Sequence, residues 1–376
     1  MNFDKLKDFL DYYLPMLGVP GSDTVIYQDH CEIFRHTSGF NSLKNRTPVQ
    51  RDAIYNIYSC TKIATCVAGL QLIERGEVLA TDPIHVYFPE YKNITVANVG
   101  ENPDKAKQPI LVKHLFSMSS GLDYNLNRPS IERVKKLSGG RCPTLDVIRA
   151  LAQDSLAFNP GERYCYGLSH DVIGGLIERV SGMKLSEYMK KNIFDPLGMK
   201  DTGFKIEEKN RGRLASQYTY DSIGRCAIEI PAEENPYRLG SEYESGGAGL
   251  YSTVDDYILL IDALANGGVG KNGNRILSSR SVELLRTPTL GTEQLRFFAE
   301  NQNLGNKYGY GVRVMCNAAD AGSLVPNGAF GWDGARMCLA LSDPESKIAI
   351  FHAEHIDSMN AILIPRLLNT IYSCIE

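Results

Sequence analysis

Hydrophobic residues recur at helical spacing in several parts of the chain, beginning with its first residues. Phe3, Leu6, Leu10 and Leu14 lie three or four positions apart, and Leu17 follows at the same spacing. Positions with this spacing share one face of a helix, so the chain is predicted to open with an amphipathic helix. Further helices are predicted over about 60–74, 170–181, 185–193 and 361–375.

Short runs of β-branched and aromatic residues near both ends of the chain predict strands. Residues 24–27 and 31–34 flank a polar turn, a pattern typical of a β-hairpin. Near the other end, strands are predicted over 310–315, 337–341 and 347–352. The last two are separated by residues that favour a turn.

The middle of the chain, residues 76–239, carries helix and loop patterns but few strand patterns. Strands at both ends with a helical middle predict one antiparallel sheet built from both termini and flanked by the terminal helices. The predicted fold class is α/β, of the α+β type. We expect a sheet domain formed by 1–75 together with 240–376, a mainly helical lobe over 76–239, and an active site between them.

The composition excludes several classes of protein. Of the 376 residues, 43% are hydrophobic and 22% are charged, which is typical of a folded globular chain rather than a disordered one. The net charge of −4 and the lack of a basic block argue against a nucleic-acid partner. No segment approaches the roughly 18 consecutive apolar residues of a membrane span, so no membrane partner is expected.

The nine cysteines are odd in number, irregularly spaced and without a CxxC pair. This pattern predicts reduced thiols rather than a disulfide framework or a zinc site. Charged residues interrupt the first apolar run, which argues against a signal peptide. We therefore expect a cytoplasmic protein.

Two groups of potentially reactive residues are interpreted as structural. His352 and His355 lie three positions apart on or beside a predicted strand, where they would face opposite sides, so a metal site is not expected. Ser169, His170 and Asp171 are adjacent on a predicted helix, where neighbours point apart and cannot form a catalytic relay.

The pattern Ser59-Cys60-Thr61-Lys62 stands at the start of a predicted helix. Positions i and i+3 share a helix face, so the Lys62 amine can reach the Ser59 oxygen. The helix N-terminus favours a developing alkoxide and a neutral lysine, which together make an activated serine nucleophile. A second copy runs from Ser181 to Lys184, but Gly182 ends a helix there and predicts a cap. On the tetrapeptide alone, an ordinary capping serine would be the simpler interpretation of Ser59.

The surrounding segments change that interpretation. Five of them, in this order, are 58–62, 115–122, 159–166, 195–199 and 245–250. Their residues are YSCTK, LFSMSSGL, NPGERYCY, DPLGM and SGGAGL. Together they resemble the serine β-lactamase and penicillin-binding-protein family, above all its class C β-lactamase and family VIII carboxylesterase branch. The resemblance covers nearly the whole chain and implies a β-lactamase/transpeptidase-like fold.

The resemblance implies roles for three side chains. Ser59 matches the acylated nucleophile, Lys62 its lysine partner, and Tyr166 the tyrosine that shares general-base work with the lysine. Leu168 stands where many relatives have asparagine, so an amide contact to substrate is missing. The neighbouring Tyr164 is an alternative for the catalytic tyrosine.

The third motif of the family is a K-T-G or H-x-G strand, and here it matches Trp332-Asp333-Gly334. These three residues are expected to contact substrate, with Gly334 allowing close approach of the backbone. The backbone N–H groups of Ser59 and Ala335 are expected to form the oxyanion hole. The basic residue is missing, and Asp333 would repel a substrate carboxylate beside Trp332. The direction of the Arg336 side chain is left open by the sequence.

We therefore expect a serine hydrolase that forms an acyl-enzyme on small-molecule esters, with no metal and no organic cofactor. One alternative is a β-lactamase or D-alanyl-D-alanine peptidase acting on amides. A second is a catalytically silent ligand-binding member of the same fold. The sequence leaves the oligomeric state open.

Overall fold

The structure is a computed structural model that describes residues 1–98, 100, 102–299 and 304–375. Its strands are β1 Gly21–Gln28, β2 Cys31–Ser42, β3 Thr47–Pro48, β4 Ile54–Asn56, β5 Thr95–Val96, β6 Asp104–Lys105, β7 Gln217–Asp221, β8 Cys226–Ile230, β9 Tyr251–Thr253, β10 Asn306–Tyr308, β11 Arg313–Met315, β12 Phe330–Asp333, β13 Cys338–Asp343 and β14 Ile348–Ala353.

The α-helices are α1 Asp4–Asp8, α2 Leu14–Met16, α3 Thr61–Glu74, α4 Val112–Phe116, α5 Pro129–Leu137, α6 Thr144–Leu151, α7 Ser169–Ser181, α8 Leu185–Met189, α9 Asp195–Leu197, α10 Val254–Ala265, α11 Ser279–Arg286, α12 Thr292–Ala299, α13 Ala318–Ala321 and α14 Asn360–Tyr372. Wider π-helical turns at Phe9–Tyr13 and Lys190–Phe194 join α1 to α2 and α8 to α9. Short 3-10 turns occupy Tyr58–Cys60, Ile84–Val86, Pro89–Asn93 and Glu208–Arg213.

The main sheet has eight strands in the order β10-β11-β12-β13-β14-β1-β2-β3, and every neighbouring pair is antiparallel. The strands from the two ends of the chain meet where β1 pairs with β14, with Val25 opposite Phe351. The predicted single antiparallel sheet built from both ends of the chain is confirmed. The division into a sheet domain and a helical lobe stays a prediction.

Both faces of this sheet are covered, which explains why β1, β13 and β14 are buried at almost every position. Along β1, Val25 belongs to the core on one face and Ile26 to the core on the other. In the same way, Trp332 of β12 belongs to the core on the Val25 face and Leu339 of β13 to the core on the Ile26 face. We call the Trp332 side the front face and the Leu339 side the back face.

The two faces of the sheet are covered by different sets of helices. The back face is covered by the terminal helices, and α1 also contacts α14. On the front face, α10 packs on β14 and β1, and α3 packs against α7. Helix α3 is buried from Thr61 to Leu72, so its whole circumference is packed against other parts of the protein rather than one stripe. The first turn of this central helix holds the candidate chemistry.

Candidate active site

Ser59 lies in the tight turn immediately before α3, on the front side of the sheet. The preceding residue, Tyr58, has a φ of +44°, an uncommon conformation for a residue with a side chain. Arg336 helps to hold this turn, because its Nε donates to the Tyr58 hydroxyl at 3.1 Å. Ser59 itself is 7% exposed, so most of its surface is covered by neighbouring residues.

Lys62 is fully buried, and its amine is the centre of the site. Nζ lies 3.1 Å from Ser59 Oγ, 3.0 Å from the Tyr124 hydroxyl and 2.6 Å from the Gly247 carbonyl oxygen. A neutral amine has two hydrogens and one lone pair. It can therefore donate to Gly247 and Tyr124 and still accept the Ser59 proton. The i, i+3 contact predicted from the sequence is present.

Burial is the main reason that the pKa of Lys62 falls to about 7, since an ammonium loses its hydration in the core. The charge of Asp171 opposes this fall. A lysine with a pKa near 7 is largely neutral at slightly alkaline pH. It can therefore act as a base toward a hydroxyl without an additional activator.

Tyr166 lies beside the same amine. Lys62 Nζ is 4.5 Å from the centre of its ring, and the Tyr166 hydroxyl accepts a hydrogen bond from Trp332 Nε1 at 3.0 Å. Burial raises the pKa of Tyr166, although hydrogen bonds with Ser59 and Trp332 partly oppose the rise. Tyr166 is therefore a neutral phenol near pH 7, which favours Lys62 as the base and Tyr166 as a proton relay.

Tyr164, the alternative for the catalytic tyrosine, occupies a different place. Its ring packs edge-on against Phe298 and Tyr308, with ring centres 5.1 Å apart in both cases. Its burial in this aromatic cluster is typical of a core residue. The geometry favours Tyr166 over Tyr164.

Trp332 stacks on Tyr166 with ring centres 5.5 Å apart and meets Tyr308 edge-on at 5.3 Å. It is 8% exposed. Most of its surface therefore supports the tyrosine, and only one edge is open to a substrate.

Asp333 follows Trp332 on β12. Side chains alternate along a strand, so Asp333 points to the back face while Trp332 points to the front. Its carboxylate accepts hydrogen bonds from Arg313 Nη2 and from Asn360 Nδ2, both at 2.8 Å. The charge of Asp333 still acts on the site, since it is among the causes that raise the pKa of Tyr166. Its contact with substrate stays a prediction.

The direction of Arg336, left open by the sequence, is settled by its partners. Besides Tyr58, its guanidinium contacts the Tyr218 carbonyl oxygen at 2.8 Å and Asp357 at 3.2 Å. These contacts hold the side chain beside the turn, where it pairs with Asp357 rather than supplying a cation to the third motif.

Gly334 lies close to the backbone that precedes Ser59. A Cβ on this residue would lie 2.6 Å from the Ile57 carbonyl oxygen, so the glycine lets the end of β12 approach the turn before Ser59. The Gly334 carbonyl accepts from Asn360 Nδ2 at 2.9 Å. In a trans peptide the next N–H points the opposite way, so the Ala335 N–H is directed away from Asn360. The contact of Gly334 with substrate and the oxyanion role of the Ala335 N–H stay predictions.

Tyr124 and Gly247 are the residues of the site that sequence reasoning missed. Tyr124 contacts the Lys62 amine and lies between the rings of Tyr166 at 5.5 Å and Tyr237 at 5.1 Å. The available signal was its place two residues after the family segment that ends at Leu122. The chain has 20 tyrosines, and nothing local distinguishes this one.

The residues interpreted as structural have structural partners. Ser169 pairs with Ser120 at 2.8 Å, and the His170 ring lies 3.2 Å from the Phe116 carbonyl oxygen. His352 lies between Thr24 and Glu354. Within the described ranges, no three His, Cys, Asp or Glu side chains are grouped in a way that could hold a metal ion. In those ranges, no helix combines the length and hydropathy that a membrane crossing requires.

The sequence profile of the Beta-lactamase family matches residues 6–353. Because the match extends over most of the chain, the protein belongs to the Beta-lactamase family. The family resemblance predicted from the ordered motifs is confirmed.

Two named relatives and one solved structure are similar to most of the chain. Esterase EstB of Burkholderia gladioli is 28% identical over 349 residues, covering 88% of this chain and 84% of its own. Acyltransferase calJ of Penicillium decumbens is 26% identical over 374 residues, covering 90% and 84%. A solved structure described as EstCE1, a hydrolase with promiscuous acyltransferase activity, has 24% identity and a TM-score of 0.81, covering 99% and 97%. The fold is β-lactamase/transpeptidase-like.

Proposed function

We propose that this protein hydrolyses small neutral esters through an acyl-enzyme on Ser59. The observation that carries the proposal is the buried Lys62 amine, 3.1 Å from Ser59 Oγ and with a pKa of about 7. A serine beside a lysine that is readily deprotonated has the arrangement of an activated nucleophile.

The chemistry follows from these positions. Ser59 Oγ attacks the ester carbonyl carbon while its proton passes to Lys62, and the N–H groups of Ser59 and Ala335 would stabilise the oxyanion. Collapse of the intermediate breaks the bond to the alcohol oxygen, which takes a proton from Lys62 by way of Tyr166. Water then attacks the acyl carbon, and the same groups return the proton to Ser59 as the acid leaves.

Esters are favoured over β-lactams because Trp332 stands where the third motif of the family has lysine or histidine, and the nearby Arg313, 5.4 Å from the Trp332 ring, is paired with Asp333. Penicillins and D-alanyl peptides carry a carboxylate near the scissile carbonyl, and a charge-assisted hydrogen bond would help to hold it. Here that position is Trp332, which is stacked on Tyr166, and Arg336 is paired with Asp357. The name of the relative EstB, an esterase, supports the same preference.

Acyl transfer to an alcohol is the second candidate, favoured by the relative calJ, which is named an acyltransferase. The acyl-enzyme would be the same, and an alcohol would replace water in the second step. Partition of the acyl group between acid and ester products, measured with increasing amounts of a primary alcohol, separates the two activities.

We also propose that the protein works in a reducing compartment such as the cytoplasm. All nine cysteines are unpaired, and Cys60, Cys66, Cys142, Cys338 and Cys374 are buried. Thiol titration of the denatured, unreduced protein from its native source is expected to give close to nine reactive thiols. A majority of paired cysteines would contradict this proposal.

The deciding experiment compares p-nitrophenyl butyrate with nitrocefin and benzylpenicillin on one preparation, together with fluorophosphonate labelling read by intact mass. We expect one label on Ser59 and a higher kcat/KM for the ester. Faster turnover of nitrocefin would favour the β-lactamase alternative. If the protein shows neither labelling nor turnover, the catalytically silent ligand-binding alternative is favoured.

A further inference from the structure

Asp171 is a buried carboxylate on the first turn of α7, and it is 1% exposed. One oxygen, Oδ1, accepts hydrogen bonds from Ser245 Oγ at 2.6 Å and from the Tyr243 hydroxyl at 2.9 Å. Burial raises the pKa of Asp171, whereas the hydrogen bonds from Ser245 and Tyr243 and the charge of Lys62 oppose that rise and favour the ionised carboxylate. None of the chemical steps described above uses this group.

The second oxygen, Oδ2, has no side-chain partner and faces Gly247. A Cβ built on Gly247 would lie 2.5 Å from Asp171 Oδ2 and 3.0 Å from the Tyr124 hydroxyl. The carbonyl oxygen of Gly247 is 2.6 Å from Lys62 Nζ. One glycine residue therefore touches the carboxylate on one side and the amine on the other, and a side chain there would force them apart.

We propose that Asp171 is a positioning residue for Lys62: it holds the segment that receives the amine, and its negative charge opposes loss of the Lys62 proton. This inference rests on the proposed function, in which Lys62 is the base. Since both groups are buried, water screens their attraction only weakly.

The other titratable groups around Lys62 are neutral. Burial raises the pKa of the Cys60 and Cys66 thiols and of the Tyr124 and Tyr166 phenols. Burial likewise lowers the pKa of His170 to about 3, so its ring is uncharged at neutral pH. Of the groups that influence the amine, Asp171 is the one whose charge can favour the ammonium form.

The charge of Asp171 keeps Lys62 protonated to a higher pH than burial alone would allow. Removing it makes the amine lose its proton at lower pH and also makes it a weaker base. Activity is then expected to persist to more acidic pH, with a lower plateau. A nearby opposite charge typically shifts the pKa of a buried group by one unit or more. The acid limb of the pH profile should therefore move by about 1 pH unit.

The test is the variant Asp171→Asn, which keeps the shape of the side chain and removes its charge. The pH dependence of kcat/KM for p-nitrophenyl butyrate and of fluorophosphonate labelling at Ser59 are measured for wild type and variant. We expect both acid limbs to move to lower pH by about 1 unit. A residue with only a structural role would lower the rate at every pH and leave the limb in place.

The matched control is Asp262→Asn. Asp262 is also a fully buried carboxylate, but it lies on α10 and pairs with His30 at 2.7 Å. Its variant is expected to keep the wild-type acid limb, because Asp262 is not among the groups that shift the pKa of Lys62.

A second variant covers the case in which Asp171→Asn does not fold. Ser245→Ala removes the 2.6 Å hydrogen bond to the carboxylate and should move the limb in the same direction by a smaller amount. An unchanged limb in every folded variant overturns the inference while leaving the proposed function intact. A wild-type protein that neither labels nor hydrolyses the ester overturns both.

Discussion

The chain contains the same tetrapeptide pattern twice, and the two copies differ in almost every physical respect. Ser59 and Lys62 stand at the start of the buried helix α3, with the amine 3.1 Å from the hydroxyl. Ser181 and Lys184 stand at the end of α7, where Ser181 Oγ donates back to the Ile177 carbonyl at 2.6 Å and Lys184 is exposed. A nucleophile needs more than the pattern: it needs a helix start and a buried amine.

Gly182 is the reason that the second copy cannot assemble. It ends α7 with a φ of +71°, so the backbone turns out of the helix between the serine and the lysine. The i, i+3 face that joins Ser59 to Lys62 therefore does not exist between Ser181 and Lys184. The predictions below test this contrast, beginning with the largest expected effect.

Replacing each serine by alanine should give the largest difference in activity between the two copies. Ser59→Ala is expected to abolish ester turnover and fluorophosphonate labelling, because it removes the oxygen that forms the acyl bond. Ser181→Ala should retain wild-type activity, since it loses only a hydrogen bond at a helix end. Steady-state kinetics and intact mass measure both. Full activity in Ser59→Ala would refute the proposed mechanism.

Replacing the two lysines should also affect kcat/KM to different extents. Lys62→Ala is expected to lower kcat/KM by about 10²–10⁴, the usual contribution of a general base. Lys184→Ala removes an exposed charge and should leave kcat/KM within error of wild type. Circular dichroism must confirm that both variants fold, because Lys62 is buried. Equal losses in the two variants would show that the buried amine has no special role.

The pH dependence should reflect the burial of Lys62. Its pKa is lowered to about 7, so the neutral, basic form dominates above that pH and is lost below it. We expect kcat/KM to rise about tenfold per pH unit up to pH 7 and then to level off. Initial rates between pH 5 and 10 in buffers of constant ionic strength test this. A rise that continues to pH 10 would show that Lys62 titrates like an ordinary lysine.

Replacing Tyr124, which contacts the Lys62 amine and has no counterpart beside Lys184, should have a moderate effect on activity. Tyr124→Phe removes a hydroxyl 3.0 Å from Lys62 Nζ and is expected to lower kcat by about tenfold, as for a hydrogen bond to a charged group. Tyr164→Phe is the control, since its ring packs in the core and its hydroxyl has no contact with the amine. Equal kinetics in both variants would remove Tyr124 from the site.

The smallest effect concerns the stability of the second copy. Gly182→Ala places a side chain at positive φ with open space around it, so only backbone strain is added. We expect a loss of about 1 kcal/mol in the free energy of unfolding in urea, with unchanged kinetics. Gly212→Ala, which has the same open surroundings without positive φ, should cost nothing.

Local patterns determined much of what the sequence alone could predict. The hairpin of β1 and β2, the span of α3 and the sheet built from both ends follow from periodicity and turn residues, because these depend on neighbours within a few positions. Ser59 and Lys62 could be paired for the same reason, because they are two residues three positions apart on one helix face. Tyr166 needed the family resemblance, since it lies about a hundred positions away.

The tertiary structure alone decided the contacts between distant segments. Tyr124 and Gly247 reach Lys62 only because separate loops are packed around α3, and no spacing in the chain encodes that approach. The pairing of Asp333 with Arg313 and Asn360 also depends on the packing of distant segments around β12. The partners of Arg336 come from segments more than twenty residues away. Sequence periodicity determines helices and strands, whereas long-range packing determines which side chains meet.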